Sequence, residues 1–255
     1  PQNPDRVYRI GSRVKMSIDG GKSFSFVEKI NCCAPGNYIH IDNHAWWINP
    51  NNPKHIIDGN DGGIGITHDG GDTWRFAANI PLAQFYHIAV DNDLPYNVYG
   101  GLQDNGAWRG PAEVFENAGI RNLHWQEVAF GDGFDTVPDP RNSRRGLSMS
   151  QGGSLVSWNL DTGEQRFIRP KGPEDGTELR FNWNAGLGQS PFDPDTIYYG
   201  SQFVHKSTDR GLTWEIISED LTTNNPEFQT YKESGGITPD VTSAENYTTI
   251  TSINP

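Results

Sequence analysis

Asn60-Asp61-Gly62-Gly63-Ile64-Gly65-Ile66-Thr67-His68-Asp69-Gly70-Gly71-Asp72-Thr73-Trp74 holds two turns with a strand between them. The first turn, Asn60 to Gly63, supplies residues that tolerate positive φ, and the alternation in Ile64-Gly65-Ile66-Thr67 reads as a short half-buried strand. In the second turn, Thr67 to Trp74, the Asp69 carboxylate can accept hydrogen bonds from turn N–H groups while the glycines permit the bend. Trp74 then plugs the hydrophobic layer beneath.

The same pattern of hydroxyl, Asp, Gly, hydroxyl and aromatic returns from Ser17 to Phe24 and from Ser207 to Trp214, with a degraded copy at Asp161-Thr162-Gly163-Glu164. The aspartates at 19, 69, 161 and 209 are 50, 92 and 48 residues apart, the middle gap being two units of 46. Such a period, with several short strands per unit, predicts the blades of a β-propeller. Trp125 stands near where the aromatic of the missing third turn would fall.

Composition agrees. Only 34% of the 255 residues are hydrophobic, yet there are 8 Trp, 12 Phe and 9 Tyr beside 29 Gly and 17 Pro. That suits short strands, aromatic plugs and tight turns, and does not suit disorder or a helical bundle. A net charge of −12 argues against nonspecific binding to nucleic acid or an anionic membrane. No apolar run approaches the roughly 20 residues of a spanning helix. Beginning at Pro1 without initiator Met or signal peptide, the sequence reads as a processed product or an excerpt of a longer protein. Cys32 and Cys33 are adjacent, so a vicinal disulfide and two packed thiols both remain open. The sequon Asn246-Tyr247-Thr248 is too common a pattern to establish glycosylation.

Asn-Pro and Asp-Pro punctuation at Asn49-Pro50, Asp139-Pro140 and Asp193-Pro194 gives each unit the same plan. A first strand, an Asx/Pro turn, a second strand, a Gly-rich tip, a third strand, an Asp turn and a fourth strand follow one another. The expected blades are about 1–30, 31–80, 81–128, 129–170 and 171–220. Residues 221–255 lead into a further blade, with Tyr247 to Pro255 as its first strand followed by the beginning of an Asn-Pro turn. The fold class is all-β, a propeller of four-stranded blades that is a segment of a larger one.

Strand order then separates two rims. The links between blades and the second-to-third tips share one end, while the Asp turns and first-to-second turns share the other. Asp19, Asp69 and Asp209 are therefore structural. The opposite rim collects polar groups that turns alone do not require: His40, Asp42, His44, Asn60, Gln84, Tyr86, Gln103, Asn105, Arg180 and Trp183 as ligand-binding candidates, with Gln151 and Gln202 beside them. Such a mouth suits a polar, polyhydroxylated or peptide ligand. If His40-Ile41-Asp42-Asn43-His44 is extended, its period of two sets His40, Asp42 and His44 on one side, able to hold a transition metal; a polar loop is the commoner outcome, and no metal or other cofactor is expected. Asp61, Asp104, Asp132 and Asp135 could furnish the two catalytic carboxylates of a glycoside hydrolase, or else shape turns.

The repeats resemble the Asp-box, or BNR, propellers, a class that includes sialidases, xyloglucan-cleaving endoglucanases and sortilin-type receptors. More narrowly, His40-Ile-Asp-Asn-His44-Ala-Trp-Trp, Gly59-Asn-Asp-Gly-Gly63, Gly100-Gly-Leu-Gln-Asp-Asn-Gly106 and Ile217-Ser-Glu-Asp-Leu-Thr222 are similar to bacterial sortilin-like proteins often labelled glycosyl hydrolases. The resemblance implies a propeller that is secreted or associated with the cell envelope. It does not carry a sialidase arginine triad, because only Arg180 is well placed. The expectation is a binding propeller for a polymer or protein segment at its mouth, with a glycoside hydrolase as the alternative. Polysaccharide or peptide ligands and surface-assembly partners are expected, and nucleic acid is not.

Overall fold

The structure, a computed structural model, describes residues 3–27, 39–80, 82–229 and 246–255. Cys32 and Cys33 lie outside them. The protein is all-β and built of propeller-type antiparallel blades, grouped in two compact units, Pro1–Leu82 and Ala83–Pro255.

In the first unit, β1 (Val7–Arg9), β2 (Lys15–Ser17) and β3 (Ser25–Phe26) form a three-stranded sheet. There β4 (Asn43–Ile48), β5 (Ile56–Asn60), β6 (Gly63–Thr67) and β7 (Arg75–Phe76) form a four-stranded one. Among the described residues the second unit has three four-stranded sheets. They are β8 (Phe85–Val90) to β11 (Gln126–Ala129) through β9 (Asn97–Leu102) and β10 (Ala107–Pro111); β12 (Gly133–Asp139) to β15 (Glu164–Phe167) through β13 (Asn142–Ser150) and β14 (Ser154–Asn159); and β16 (Leu187–Gln189) to β19 (Glu215–Ile216) through β17 (Ile197–Gly200) and β18 (Val204–Ser207). Within each sheet every strand pairs antiparallel with its sequence neighbour.

The three Asp turns fold as their composition requires. Asp69 Oδ1 accepts from the Thr67 hydroxyl at 2.8 Å and the Thr73 amide at 2.9 Å, while Gly71 N–H donates to Thr67 Oγ1 at 3.0 Å. Asp19 and Asp209 repeat the arrangement with Ser17 and Ser23, and with Ser207 and Thr213. These hydrogen bonds hold the Asp19 and Asp69 carboxyls well below the usual carboxylate range. The degraded copy behaves differently, since Asp161 is paired with Arg144 instead. The missing third turn is the longer connection 112–125, and Trp125 ends it against Gly110, just before β11, as Trp74 and Trp214 precede β7 and β19.

Register fixes which loops share an end. Ile48, Ile56 and Thr67 are cross-strand partners at the end where the Asp69 turn emerges, and Gly70 N–H there bonds Lys54 O at 2.8 Å. Asn43, Asn60 and Gly63 are partners at the opposite end. The last sheet repeats this, with Gln189, Ile197 and Ser207 aligned at the Asp209 end. Within each such sheet the tip and the link lie away from the Asp turn, as strand order predicts. Residues 247–252, by contrast, form no strand. Thr248 has φ 61°, and Ile250 instead bonds Gly186 N and Ser201 O singly.

Sheets within a unit pack through aromatic and aliphatic faces. In the first unit Val14, Ile39, Ile56 and Trp74 are buried with Tyr8 and Trp46 against them. In the second, Tyr99 stacks on Trp158 at 6.1 Å, and Phe134, Leu147, Met149, Phe181 and Tyr199 form the larger cluster. Each such side chain contributes about 1.5–3 kcal/mol on burial. Between β9 and β12 nothing intervenes: a Cβ on Gly101 would lie 2.0 Å from the Gly133 carbonyl carbon. Only glycine permits that approach.

Two expectations follow. Gly101→Ala should cost at least about 2 kcal/mol in urea unfolding, because backbone must move to admit one methyl group. His205 is fully buried, and burial pushes its imidazole down to about 4. The folded state thus resists a proton that the unfolded chain takes up below its ordinary pKa near 6.5. Stability should rise with pH between about 4 and 6.5, with a shallower slope in His205→Gln, by urea midpoints at pH 5 and 7.

Candidate binding site

The tip-side ends of three consecutive first strands share a device that alternation cannot reveal. In β4, Asn43 faces Asn60 and Ala45 faces Gly59, so His44 is an extra residue. In β8, Phe85 faces Leu102 and Ile88 faces Gly100, so Tyr86 and His87 stand against Gly101 alone. In β12, Gly133 faces Ser150 and Thr136 faces Ser148, so Phe134 and Asp135 stand against Met149. A bulge of this kind re-aims side chains at the end of a strand.

In the first unit, His44 Nε2 lies 2.7 Å from Asp61 Oδ1. Asn60 orders the tip by accepting from Gly62 N–H at 3.0 Å and donating to Asp58 Oδ2 at 2.6 Å. His40 packs over Gly62, where a Cβ would meet its ring, and its Nδ1 is 2.9 Å from Ile41 O. Asp42 has φ 61°, so the segment is not extended and the alternation needed to gather His40, Asp42 and His44 is broken. Among the described residues no group of three His, Cys, Asp or Glu side chains could hold a metal.

Sequence reasoning passed over Asp58. It is fully buried on β5 opposite Trp46, and burial pushes its carboxyl up to about 6. Asp58 Oδ1 and Trp46 Nε1 are both buried without a hydrogen-bond partner among the described residues.

The second unit carries the denser cluster. Gln103, on the tip after β9, accepts through Oε1 from Gln84 Nε2 at 3.2 Å and Tyr86 Oη at 2.8 Å. Asn105 Nδ2 donates to Gln103 O at 2.8 Å. With its oxygen doubly held, Gln103 turns its NH₂ group away, and that group makes no hydrogen bond among the described residues. Asp104, at φ 59°, donates its backbone N–H to Asp132 Oδ1 at 2.6 Å, and Asp132 N–H donates to Gln151 Oε1 at 2.8 Å. Tyr86 stacks on Phe134 at 4.4 Å, and Trp183 meets Phe134 edge-on at 6.3 Å.

His87 is the residue that strand alternation concealed. Its Nδ1 lies 2.7 Å from Asp135 Oδ1, and its Nε2 lies 3.4 Å from Asn184 Nδ2. Burial raises the Asp135 carboxyl, and the imidazole opposes that rise. Arg180 belongs to another group. Its guanidinium bonds Asp220 at 2.8 Å, Thr222 at 3.2 Å and Thr248 O at 3.3 Å, tying the link to the chain around 220 and 248.

Each candidate carboxylate has its own neighbours, with Asp104 and Asp132 adjoining through a backbone amide. Asp61 is in the first unit with His44, Asp132 receives the Asp104 amide, and Asp135 faces His87.

No family model matches this sequence, and no curated protein matches it. Among solved structures, a GH74 enzyme of Niastella koreensis is similar at 16% identity and a TM-score of 0.38, over 85% of this chain and 37% of that one. A GH74 xyloglucanase from Xanthomonas campestris matches at 16% identity and a TM-score of 0.38, over 87% and 38%. YCF48 bound to D1 peptide matches at 13% identity and a TM-score of 0.38, over 85% and 65%. The chain therefore spans about two fifths to two thirds of those chains, and likenesses this distant assign neither activity nor ligand. No helix of the described residues is long and apolar enough to cross a membrane, which leaves membrane-spanning strands unaddressed.

Asp58 gives the expectation here. Its folded-state pKa near 6 exceeds the ordinary 3.8, so its contribution is present at low pH and is lost as pH rises through about 6. Asp58→Asn should therefore stabilise the protein at pH 8 by about 1–3 kcal/mol and change little at pH 4, by urea unfolding at the two values.

Proposed function

We propose that this chain is part of a sortilin-like Asp-box propeller that binds an extended polymer or peptide segment on the tip ends of its blades. In this reading the sheets are consecutive blades, about 1–30, 31–80, 81–128, 129–170 and 171–220, with 221–255 leading into another. The protein is secreted or held at the cell envelope. The observation that carries binding is the Gln103 amide, whose oxygen is fixed by Gln84 and Tyr86 so that its two N–H donors are presented to a ligand. Carbonyl oxygens of a peptide and hydroxyls of a polysaccharide both suit such a donor, and Tyr86 and Trp183 add aromatic surface beside it. Preorganisation by the two neighbours reduces the entropy lost on binding.

One observation favours hydrolysis as the second reading. Asp135 has its carboxyl raised by burial, as a general acid requires. Against it, the Asp132 carboxylate accepts a backbone amide and Asp61 faces a histidine, so each is already used as a brace.

A glycan and extended-peptide array, combined with chromatography of any saccharide released, separates the two. Binding should weaken about 3- to 10-fold in Gln103→Ala, and no product should form. Saccharide release that disappears in Asp135→Asn would establish the hydrolase instead, and an array without any bound ligand would remove the binding reading.

A further inference from the structure

The end of the second unit away from Gln103 carries a feature that ligand binding at the tips does not use. In each of its sheets the first-to-second and third-to-fourth connections leave at one end. There Val90 faces Val98, Asp139 faces Asn142 and Gln189 faces Ile197. Among the described residues of this unit, six large apolar side chains outside the strands are 60% exposed or more, and five of them belong to those connections. Leu94 at 98% and Phe115 at 90%, with Leu123, come from the sheet β8–β11. Phe192 at 95%, with Leu212, comes from the sheet β16–β19. The sixth, Phe130, follows β11 at the tip end. Single apolar side chains are ordinary on a surface, but this grouping at one end is not. They stand at the ends of sheets, whereas it is the faces that a neighbouring blade covers.

The platform beneath them is fixed. Tyr99 Oη lies 2.7 Å from Asp91 Oδ2 and 2.8 Å from Ser143 O, joining the end of β8–β11 to that of β12–β15. Arg141 donates to Asp139 at 3.0 Å and to Asp195, in the connection 190–196, at 3.1 Å, joining the middle sheet to the last. Within the connection 112–125, Glu116 takes both Arg121 and His124. The middle sheet exposes no large apolar side chain at this end. Its short turns carry the ion pairs of Arg141 with Asp195 and Arg144 with Asp161, each partner about half exposed.

We propose that this end of the second unit rests on a neutral phospholipid surface, with Leu94, Phe115 and Leu123 entering it on one side and Phe192 and Leu212 on the other. The two apolar groups flank a strip of mixed charge. Headgroups that hold a phosphate beside an ammonium match that strip, because either sign finds a partner. Anionic lipid would instead meet a chain of net charge −12. A protein partner calls for an apolar patch continuous at its centre, and here ion pairs interrupt one. A fluid surface takes each side chain separately, and aromatic rings suit the layer between headgroups and acyl chains. Ligand binding at Gln103 concerns the other end, and neither requires the other.

Flotation of the intact protein with phosphatidylcholine vesicles tests it. The protein is expected to rise with the vesicles, and to do so at high salt as well, because burial of apolar surface is not screened. Phe115→Ser combined with Phe192→Ser should lower the partition coefficient about tenfold or more. Phe115→Trp combined with Phe192→Trp should keep it, and so should Phe130→Ser at the tip end. Circular dichroism checks that each variant is folded. Failure to float with phosphatidylcholine, equal partition of the double serine variant, or an equal loss in Phe130→Ser would overturn the proposal. Flotation with phosphatidylglycerol vesicles alone, abolished by salt, would overturn it in favour of electrostatic contact. Retention of a protein by the parent chain and not by the double serine variant, without vesicle binding, would assign this end to protein docking instead.

Discussion

The site in the second unit depends on two backbones meeting without a side chain between them. At Gly101 and Gly133 the strands β9 and β12 come so close that a methyl group on either would penetrate the backbone of the other strand. That approach brings the Gln103-Asp104-Asn105 tip beside the start of β12, so that Asp104 N–H reaches Asp132 and the bulged residues of β8 and β12 face one another. A short, half-buried hydrogen bond and a close backbone contact are rigid restraints, and they fix where the Gln103 tip stands.

The two ends of a blade solve different problems with similar residues. At the Asp turns the carboxylates of Asp19, Asp69 and Asp209 are held by hydroxyls and amides of their own octapeptides. At the tip end of β8 and β9, side chains hold one another in place, and a donor remains over. Carboxylates are used there as braces too, with Asp132 fixing a turn and Asp135 facing an imidazole. The distribution explains how a strongly acidic chain can have few acidic groups committed to chemistry.

The Asp turns were legible in the sequence because every partner of Asp69 lies within four residues of it. The four-strand plan was legible for the same reason, since each hairpin joins neighbours. Strand order alone then brought Gln84, Tyr86 and Gln103 to one place, as found. What alternation could not give was His87, because a bulge suspends the period of two where Tyr86 and His87 both oppose Gly101. Asp42 defeated the same rule by adopting φ 61°, and the strand expected around Ile250 gave way to isolated hydrogen bonds with Gly186 and Ser201. Asp58 opposite Trp46 was hidden because its burial is a tertiary fact, while Asp58-Gly59-Asn60 reads locally as a turn approach.

The surplus residue in β4, β8 and β12 has a consequence for how such a chain diversifies. A strand that already accommodates two residues against one can lose or gain a residue at that spot while its far half keeps its pairing. Codon insertions and deletions, usually ruinous inside a sheet, would there exchange the side chain on display and leave the hydrophobic layer undisturbed. The tip end of these sheets is thus the portion most open to change in length as well as in letter, and descendants of one ancestral repeat can part company in the side chains they display without relearning how to fold.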